Sequence, residues 1–323
     1  MSTTAAPGRA AGIVAGLIAA VAFATSGPVV KPLLVAGWSP GSAILVRLSV
    51  AALLLAGPAA WALRGRWHVL RDEWRTVLGF GVLGVATAST MYYLAVDRLP
   101  VAIALLIEYT GPLLLVGWGW ARERRAPSAA TLAGAALATG GLVLVLDLTG
   151  SLELDPVGLA FALVSAVGNA AYFALTGRRT ELPSISLAGA GMAVGALTVA
   201  LVAAVGVLPL AAPDVRVDLL GAQVHWIVPL LVVATVPTAF AYGVSALSVR
   251  LLGERLASFL ALSEVLVAVL LAWLLVSEVP APLQVAGMVL VVAGIALVRR
   301  GTDAPEPVAA EPRPRPVAEV GAG

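Results

Sequence analysis

The sequence predicts an all-α integral membrane protein, with ten transmembrane helices arranged as two inverted five-helix repeats. Three observations carry that expectation. Of 323 residues, 60% are hydrophobic and only 12% charged, with a mean hydropathy of +0.99, whereas soluble domains run near half apolar and a quarter charged. The apolar residues fall into ten segments separated by turn and charge signals. Lysine and arginine concentrate in alternate connections. A spanning helix needs about 20 apolar residues, so ten of them leave no room for a sizeable soluble domain. The same composition excludes an ordinary soluble enzyme, a disordered chain and a nucleic-acid-binding protein.

Segment one covers residues 12–30 and ends at Lys31-Pro32. Ser39-Pro40 opens segment two, 41–63, which the stretch Arg64 to Arg75 ends. Segment three, 76–96, stops at Asp97-Arg98, and segment four, 99–120, at Arg122 to Pro127. Segment five, 128–146, gives way to Asp147 to Pro156. Segments six and seven, 156–176 and 185–208, flank Gly177 to Pro183. Pro209 to Gln223 precedes segment eight, 226–249, and Arg250 to Arg255 precedes segment nine, 257–277. Glu278 to Pro282 leads into segment ten, 281–298. Glycine, proline and charge clusters of this kind punctuate helices. Arg9, the first apolar run and Ala20-Val21-Ala22 also resemble a cleaved signal peptide. The run continues to Val30, longer than the apolar core of such a peptide, so segment one is kept as a span. From Gly301 the last 23 residues hold five prolines and no aromatic. They read as a disordered cytoplasmic tail, 301–323.

With a cytoplasmic N-terminus (residues 1–10), 16 of the 20 lysines and arginines fall in connections or termini on the inside. Three (Lys31, Arg98 and Arg216) fall outside, and Arg47 lies within segment two. This bias is a positive-inside signal. It predicts a multi-pass protein of the bacterial plasma membrane with both termini cytoplasmic. One missed or invented helix would scramble the alternation. Trp61, Trp67, Trp74, Trp118 and Trp120 lie at the expected cytoplasmic rim, as an aromatic belt would.

Several chemistries drop out. Cysteine is absent, so there is no disulfide or thiolate chemistry. Lys31 is the only lysine and follows Val30, so no Walker A phosphate loop exists. Gly79, Gly81 and Gly84 match the spacing of a dinucleotide-binding loop, but they lie in an apolar span with no βαβ unit around them. Helix packing explains them. No histidine or aspartate lies mid-span, which argues against an intramembrane protease or lipid transferase. Neither a metal nor a cofactor is expected.

The halves echo each other. Segment five carries Gly134 and Gly141, and segment ten Gly287 and Gly294, each pair with six residues between. Segment four has Glu108, then Glu123 and Pro127; segment nine has Glu264, then Glu278 and Pro282. Gly16-Leu17 and Gly158-Leu159 open segments one and six alike. Five spans is an odd number, so the second half enters the membrane inverted. Inverted repeats of this kind are a recurring build for secondary transporters, with the substrate site near mid-bilayer between the halves.

These features, together with an arginine in segment two, resemble the EamA-type drug/metabolite transporter family. The resemblance covers residues 11 to about 300, as repeats 11–147 and 156–300. Ile107-Glu108-Tyr109-Thr110-Gly111-Pro112 is similar to the fourth helix of the threonine/homoserine exporter branch. Ala261-Leu262-Ser263-Glu264-Val265 lacks the proline usual after the second glutamate, so substrate identity does not carry over. The resemblance implies export of small metabolites without ATP.

Glu108 and Glu264 are the leading candidates for proton or substrate binding. They lie within about two and three residues (~3 and ~4.5 Å) of the centres of their spans, on opposite sides. A carboxylate at that depth costs several kcal/mol unless it is protonated, paired or wet. The alternative is a structural glutamate bonded to a neighbouring helix. Small residues share their faces: Ala104, Gly111 and Gly119 beside Glu108, and Ala257, Ala261, Ala268 and Ala272 beside Glu264. Pro112 has no N–H for the carbonyl of Glu108, which leaves either a carbonyl free to bind an amine or a simple kink. Arg47 can pair with Glu108, bind a substrate carboxylate by a bidentate fork, or snorkel to the outer interface. Lys31 reads as an interface anchor. Asn169 suits substrate hydrogen bonding or helix–helix contact equally. Tyr92, Tyr93 and Tyr242 fall at roughly matching places in segments three and eight and either line a cavity or pack. Pro237, between Thr235 and Thr238, either breaks segment eight, as in other transporters, or is an ordinary proline of a spanning helix.

The function expected is a secondary transporter: an exporter of amino acids or similar small polar metabolites by alternating access, with protons as a plausible coupling ion. Its partners are a small-molecule substrate and the lipid bilayer, not nucleic acid. An uptake carrier of the same fold is the near alternative. An intramembrane enzyme or a channel is the alternative of a different class.

Overall fold

The computed structural model describes residues 5–99, 101–124, 126–145, 155–219, 221–267, 270 and 281–303. Among them, six helices are long and apolar enough to cross a membrane: Gly8–Val35, Pro40–Ala62, Trp74–Arg98, Pro156–Thr176, Ser184–Ala204 and Ile227–Leu252. Ala129–Leu144 and Pro282–Val298 are shorter apolar helices. The chain is therefore a mostly helical, multi-pass membrane protein.

The first span comprises α1 (Ala5–Ala24) and α2 (Ser26–Val35). Its break lies at Thr25 rather than at Lys31-Pro32. The Thr25 hydroxyl donates to the carbonyl of Ala22 at 2.7 Å, and Pro28 has no N–H for the carbonyl of Ala24. Pro32 is carried inside α2. α3 (Pro40–Ala62) starts with the Ser39 hydroxyl accepting from the N–H of Ser42, an ordinary N-cap. Two short helices, α4 (Trp67–Asp72) and α5 (Trp74–Gly79), follow the arginine-rich turn.

The third span contains a π-helical stretch, Phe80–Thr87, before α6 (Ala88–Arg98). A second π-helical stretch, Thr235–Phe240, joins α12 (Ile227–Ala234) to α13 (Ala241–Leu252) in the corresponding span of the other half. Pro237 accounts for the second. It cannot donate to the carbonyl of Val233, and the Thr238 hydroxyl occupies that carbonyl at 2.6 Å. Glycines place the first. A Cβ on Gly81 would lie 2.5 Å from Cβ of Val194, and one on Gly84 would lie 2.9 Å from Cα of Tyr172. These glycines, matching the dinucleotide-loop spacing, serve close helix packing.

Between the two π stretches run α7 (Val101–Glu108), α8 (Gly111–Glu123), α9 (Ala129–Val145), α10 (Pro156–Thr176) and α11 (Ser184–Ala204). The connection after α11 holds strands β1 (Arg216–Leu219) and β2 (Ala222–His225), paired antiparallel. These strands depart from the all-α expectation. Gly221, at φ +82°, turns the hairpin, a conformation suited to glycine. α14 (Glu254–Ala261) and α15 (Pro282–Asp303) complete the described elements. The proposed connections at Asp147 and Glu278, Ala268 and Ala272 of segment nine, and the tail beyond Asp303 lie outside the described residues.

The repeated glycines of segments five and ten face one another. A Cβ on Gly134 would lie 2.6 Å from the carbonyl oxygen of Gly294, and one on Gly141 would lie 2.6 Å from that of Gly287. α9 and α15 thus meet backbone to backbone. The halves also meet where α1 packs on α13 and α14. Gly12 and Gly16 of α1 press on Leu251, Leu252 and Leu260, and the Ser248 hydroxyl donates to the carbonyl of Gly12 at 2.8 Å.

Candidate functional site

Both candidate glutamates sit at helix breaks. α7 ends at Glu108, Tyr109 and Thr110 form a turn, and α8 begins at Gly111. Pro112 lies in the first turn of α8 and is buried, where a missing N–H is harmless. The Thr110 hydroxyl donates to the carbonyl of Ile107 at 2.7 Å. The second half makes the same break without proline. α14 ends at Ala261, Leu262 forms the turn, and the Ser263 hydroxyl donates to the carbonyl of Leu260 at 2.7 Å. Glu264 follows at once. Broken helices at membrane depth are tolerated only against protein or a wet cavity, and both breaks meet that condition.

A cavity of about 690 Å³ lies between the two halves. Glu108 and Glu264 line it, with Arg47, Asn169, Tyr92, Tyr93 and Tyr242. Pro112 is not among the lining residues; it positions the break instead. Phe23, Tyr109, Tyr172 and Phe173 add an aromatic wall, and Ser89, Ser245 and Ser248 add hydroxyls. Phe23 meets Tyr242 edge-on with ring centroids 5.2 Å apart, and Tyr242 meets Tyr172 likewise at 5.3 Å. Such a mixed lining suits a small molecule with both charge and apolar surface. The cavity follows α1 and α2 from Gly16 to Leu34. Lys31 lines it and also lines a second depression beside Arg216 and Asp218 of the hairpin. The lysine thus sits at the cavity's hairpin end.

Arg47 is 6% exposed, so it does not snorkel. One terminal nitrogen donates to the Tyr93 hydroxyl at 2.9 Å and the other to Ser89 at 3.0 Å. Its guanidinium also stands 5.4 Å from the Tyr93 ring centroid. Its Nε is buried with no partner among the described residues. Arg47 interacts electrostatically with Glu108 across the site.

The two carboxyls have different partners. Ser165 of α10 lies 3.2 Å from Oε1 of Glu108. Tyr109 interacts electrostatically with Glu264, so the residue after one glutamate faces the other. Asn169 reaches the cavity one helical turn beyond Ser165, beside Gly111. Reasoning from sequence missed Ser165, Tyr109, Ser89 and Phe23. Ser165 stands one turn before Asn169 on the same helix, which was the available signal; the others carried none.

At the hairpin end, Arg98 pairs with Asp155 at 3.0 Å, joining α6 to the start of α10. The bond to Arg98, and then the N–H of Val157, hold the Asp155 carboxyl below its usual pKa of 3.8.

A family model described as the EamA-like transporter family matches residues 10–147 and again 156–300. No curated protein matches the chain. A solved structure titled "Crystal structure of protein" superposes with a TM-score of 0.72 at 20% identity, over 92% of this chain and 100% of that one. At that identity the likeness concerns the fold.

Proposed function

The chain belongs to the EamA-like transporter family, and on that premise we propose that it exports amino acids or similar small polar metabolites by alternating access, coupled to protons. It is a membrane transporter of the drug/metabolite type, and the observation that carries the finer reading is one cavity lined by both glutamates. Ten spans in two inverted units, 11–147 and 156–300, would place the breaks at Glu108 and Glu264 near mid-membrane. With both termini cytoplasmic in a bacterial plasma membrane, the Gly12–Leu252 end faces inward and the Lys31 end outward.

In this reading the Arg47 guanidinium receives a substrate carboxylate. Glu108 and Glu264 each hold either a proton or a substrate ammonium, because an ionised carboxylate pairs with either one. Asn169 and the tyrosines orient the remainder. The similarity of Ile107–Pro112 to the threonine/homoserine exporter branch supports an amino-acid-like cargo. An overexpression screen for metabolites that leave the cell faster, or become less toxic, tests the substrate class. A faster loss of amino acids is expected; no change in any amino acid or related polar metabolite would reject it.

A further inference from the structure

Ser165 is fully buried and presents one hydroxyl to two acceptors. Its Oγ lies 3.0 Å from the carbonyl oxygen of Ala88 and 3.2 Å from Oε1 of Glu108. A hydroxyl has one proton to give and lone pairs to receive. We infer that Ser165 relays the protonation state of Glu108 to the backbone of α6, which rests on the reading of Glu108 as a proton carrier.

The hydrogen count forces the relay. When Glu108 is ionised, it and the Ala88 carbonyl are both acceptors, and Ser165 can serve only one. The carboxylate is the stronger acceptor, so Ala88 loses its side-chain partner. When Glu108 is neutral, its own O–H donates to Ser165 Oγ, and the Ser165 proton turns to Ala88. All three groups are then satisfied. No covalent bond changes: the incoming proton stays on Glu108, and Ser165 only rotates its O–H.

The position makes the rotation matter. Ala88 is the first residue after the π-helical stretch Phe80–Thr87. One turn beyond Ser165, a Cβ on Gly168 would lie 2.8 Å from Cα of Ala88. α10 and α6 therefore touch backbone to backbone at this point. A helical serine or threonine ordinarily turns back on its own helix, as Thr139 and Thr198 do. Ser165 instead crosses to another span. Proton loading of Glu108 fastens the α6–α10 seam, and proton loss or a substrate ammonium releases it. The groups that face Glu108 are Arg47 from α3, Tyr92 from α6, its neighbour Tyr109, Tyr242 from α13 and Glu264. None of them bonds Ala88 among the described contacts, so the seam responds through Ser165.

Hydrogen exchange on the full-length protein in lipid nanodiscs tests this, read on peptides covering 84–92 at low and high pH with intrinsic rates corrected. Infrared difference spectra of wild type against Glu108→Gln report whether Glu108 titrates. Wild type should protect the seam when Glu108 is protonated and expose it roughly fivefold when it is ionised, the effect of one hydrogen bond. Ser165→Ala should exchange fast at both pH values while the Glu108 band still titrates, and Ser165→Thr should restore the response. Glu108→Gln, whose amide donates to Ser165, should stay protected throughout. A pH response that survives in Ser165→Ala would overturn the relay and leave the proton-carrier reading standing. Absence of a titrating Glu108 band would overturn both.

Discussion

Glu108 and Glu264 occupy equivalent breaks but answer to different neighbours, a serine from the other half and a tyrosine from the opposite break. Their glutamine variants separate charge from shape. Glu108→Gln should abolish export driven by a pH gradient while substrate exchange persists in part; Glu264→Gln should have a similar or weaker effect. Flux at matched protein amounts reads both. Arg47→Gln removes the positive charge and the donors to Tyr93 and Ser89. Hydrogen bonds to charged groups contribute about 1.5–3 kcal/mol, so binding of a carboxylate-bearing substrate should weaken about ten- to hundredfold. Arg47→Lys cannot reproduce the fork and should recover only part of it. Binding that is unchanged in Arg47→Gln would remove Arg47 from the substrate site. The Arg98–Asp155 pair behaves differently with pH. Its carboxyl is held below 3.8, so its contribution is complete above the ordinary value and is lost only as pH falls below it. The α6–α10 link at the hairpin end should therefore not vary across neutral pH.

At the scale of elements, glycine decides how close the helices come. Gly134→Leu would drive a side chain into the backbone of α15, where even a Cβ falls 2.6 Å from an oxygen. Overpacking of this kind costs about 1–3 kcal/mol, and a lower thermal midpoint in detergent is expected; an unchanged midpoint would mean that α9 and α15 are not in contact. The echo of Gly134 and Gly141 in Gly287 and Gly294 was legible in the sequence because helix–helix contact in lipid selects small residues at helical spacing. A disturbance near Pro112 was legible too, because a missing N–H is written in the residue, but not that α7 ends at Glu108 and Pro112 lies in the first turn of α8. The break at Leu262 was not. Ser263 makes it with a hydroxyl, and serine in a helix more often leaves the helix intact. The hairpin Arg216–His225 escaped because its strands are four residues each, too short for an alternating pattern to stand out.

Across the whole molecule, the cavity is shared by residues far apart in sequence, so no local pattern could assemble it. Depth alone marked Arg47, Glu108 and Glu264, since a charged group in an apolar span needs a partner or a wet site. Their side-chain partners, Ser89, Ser165 and Tyr109, are ordinary residues for a helix and became visible only once packed. The inverted arrangement predicts that reporter fusions after Arg66 and Arg179 read inside and one after Gly221 reads outside. A fusion after Gly221 that reads cytoplasmic would break the orientation. Flux from proteoliposomes loaded with an exported metabolite, with and without an imposed pH gradient, tests the coupling itself. Wild type should export faster down the gradient. Glu108→Gln, Glu264→Gln and the double variant should lose that acceleration, the last completely. If all three keep wild-type gradient-driven rates, the two carboxyls are structural and proton coupling through this cavity is wrong.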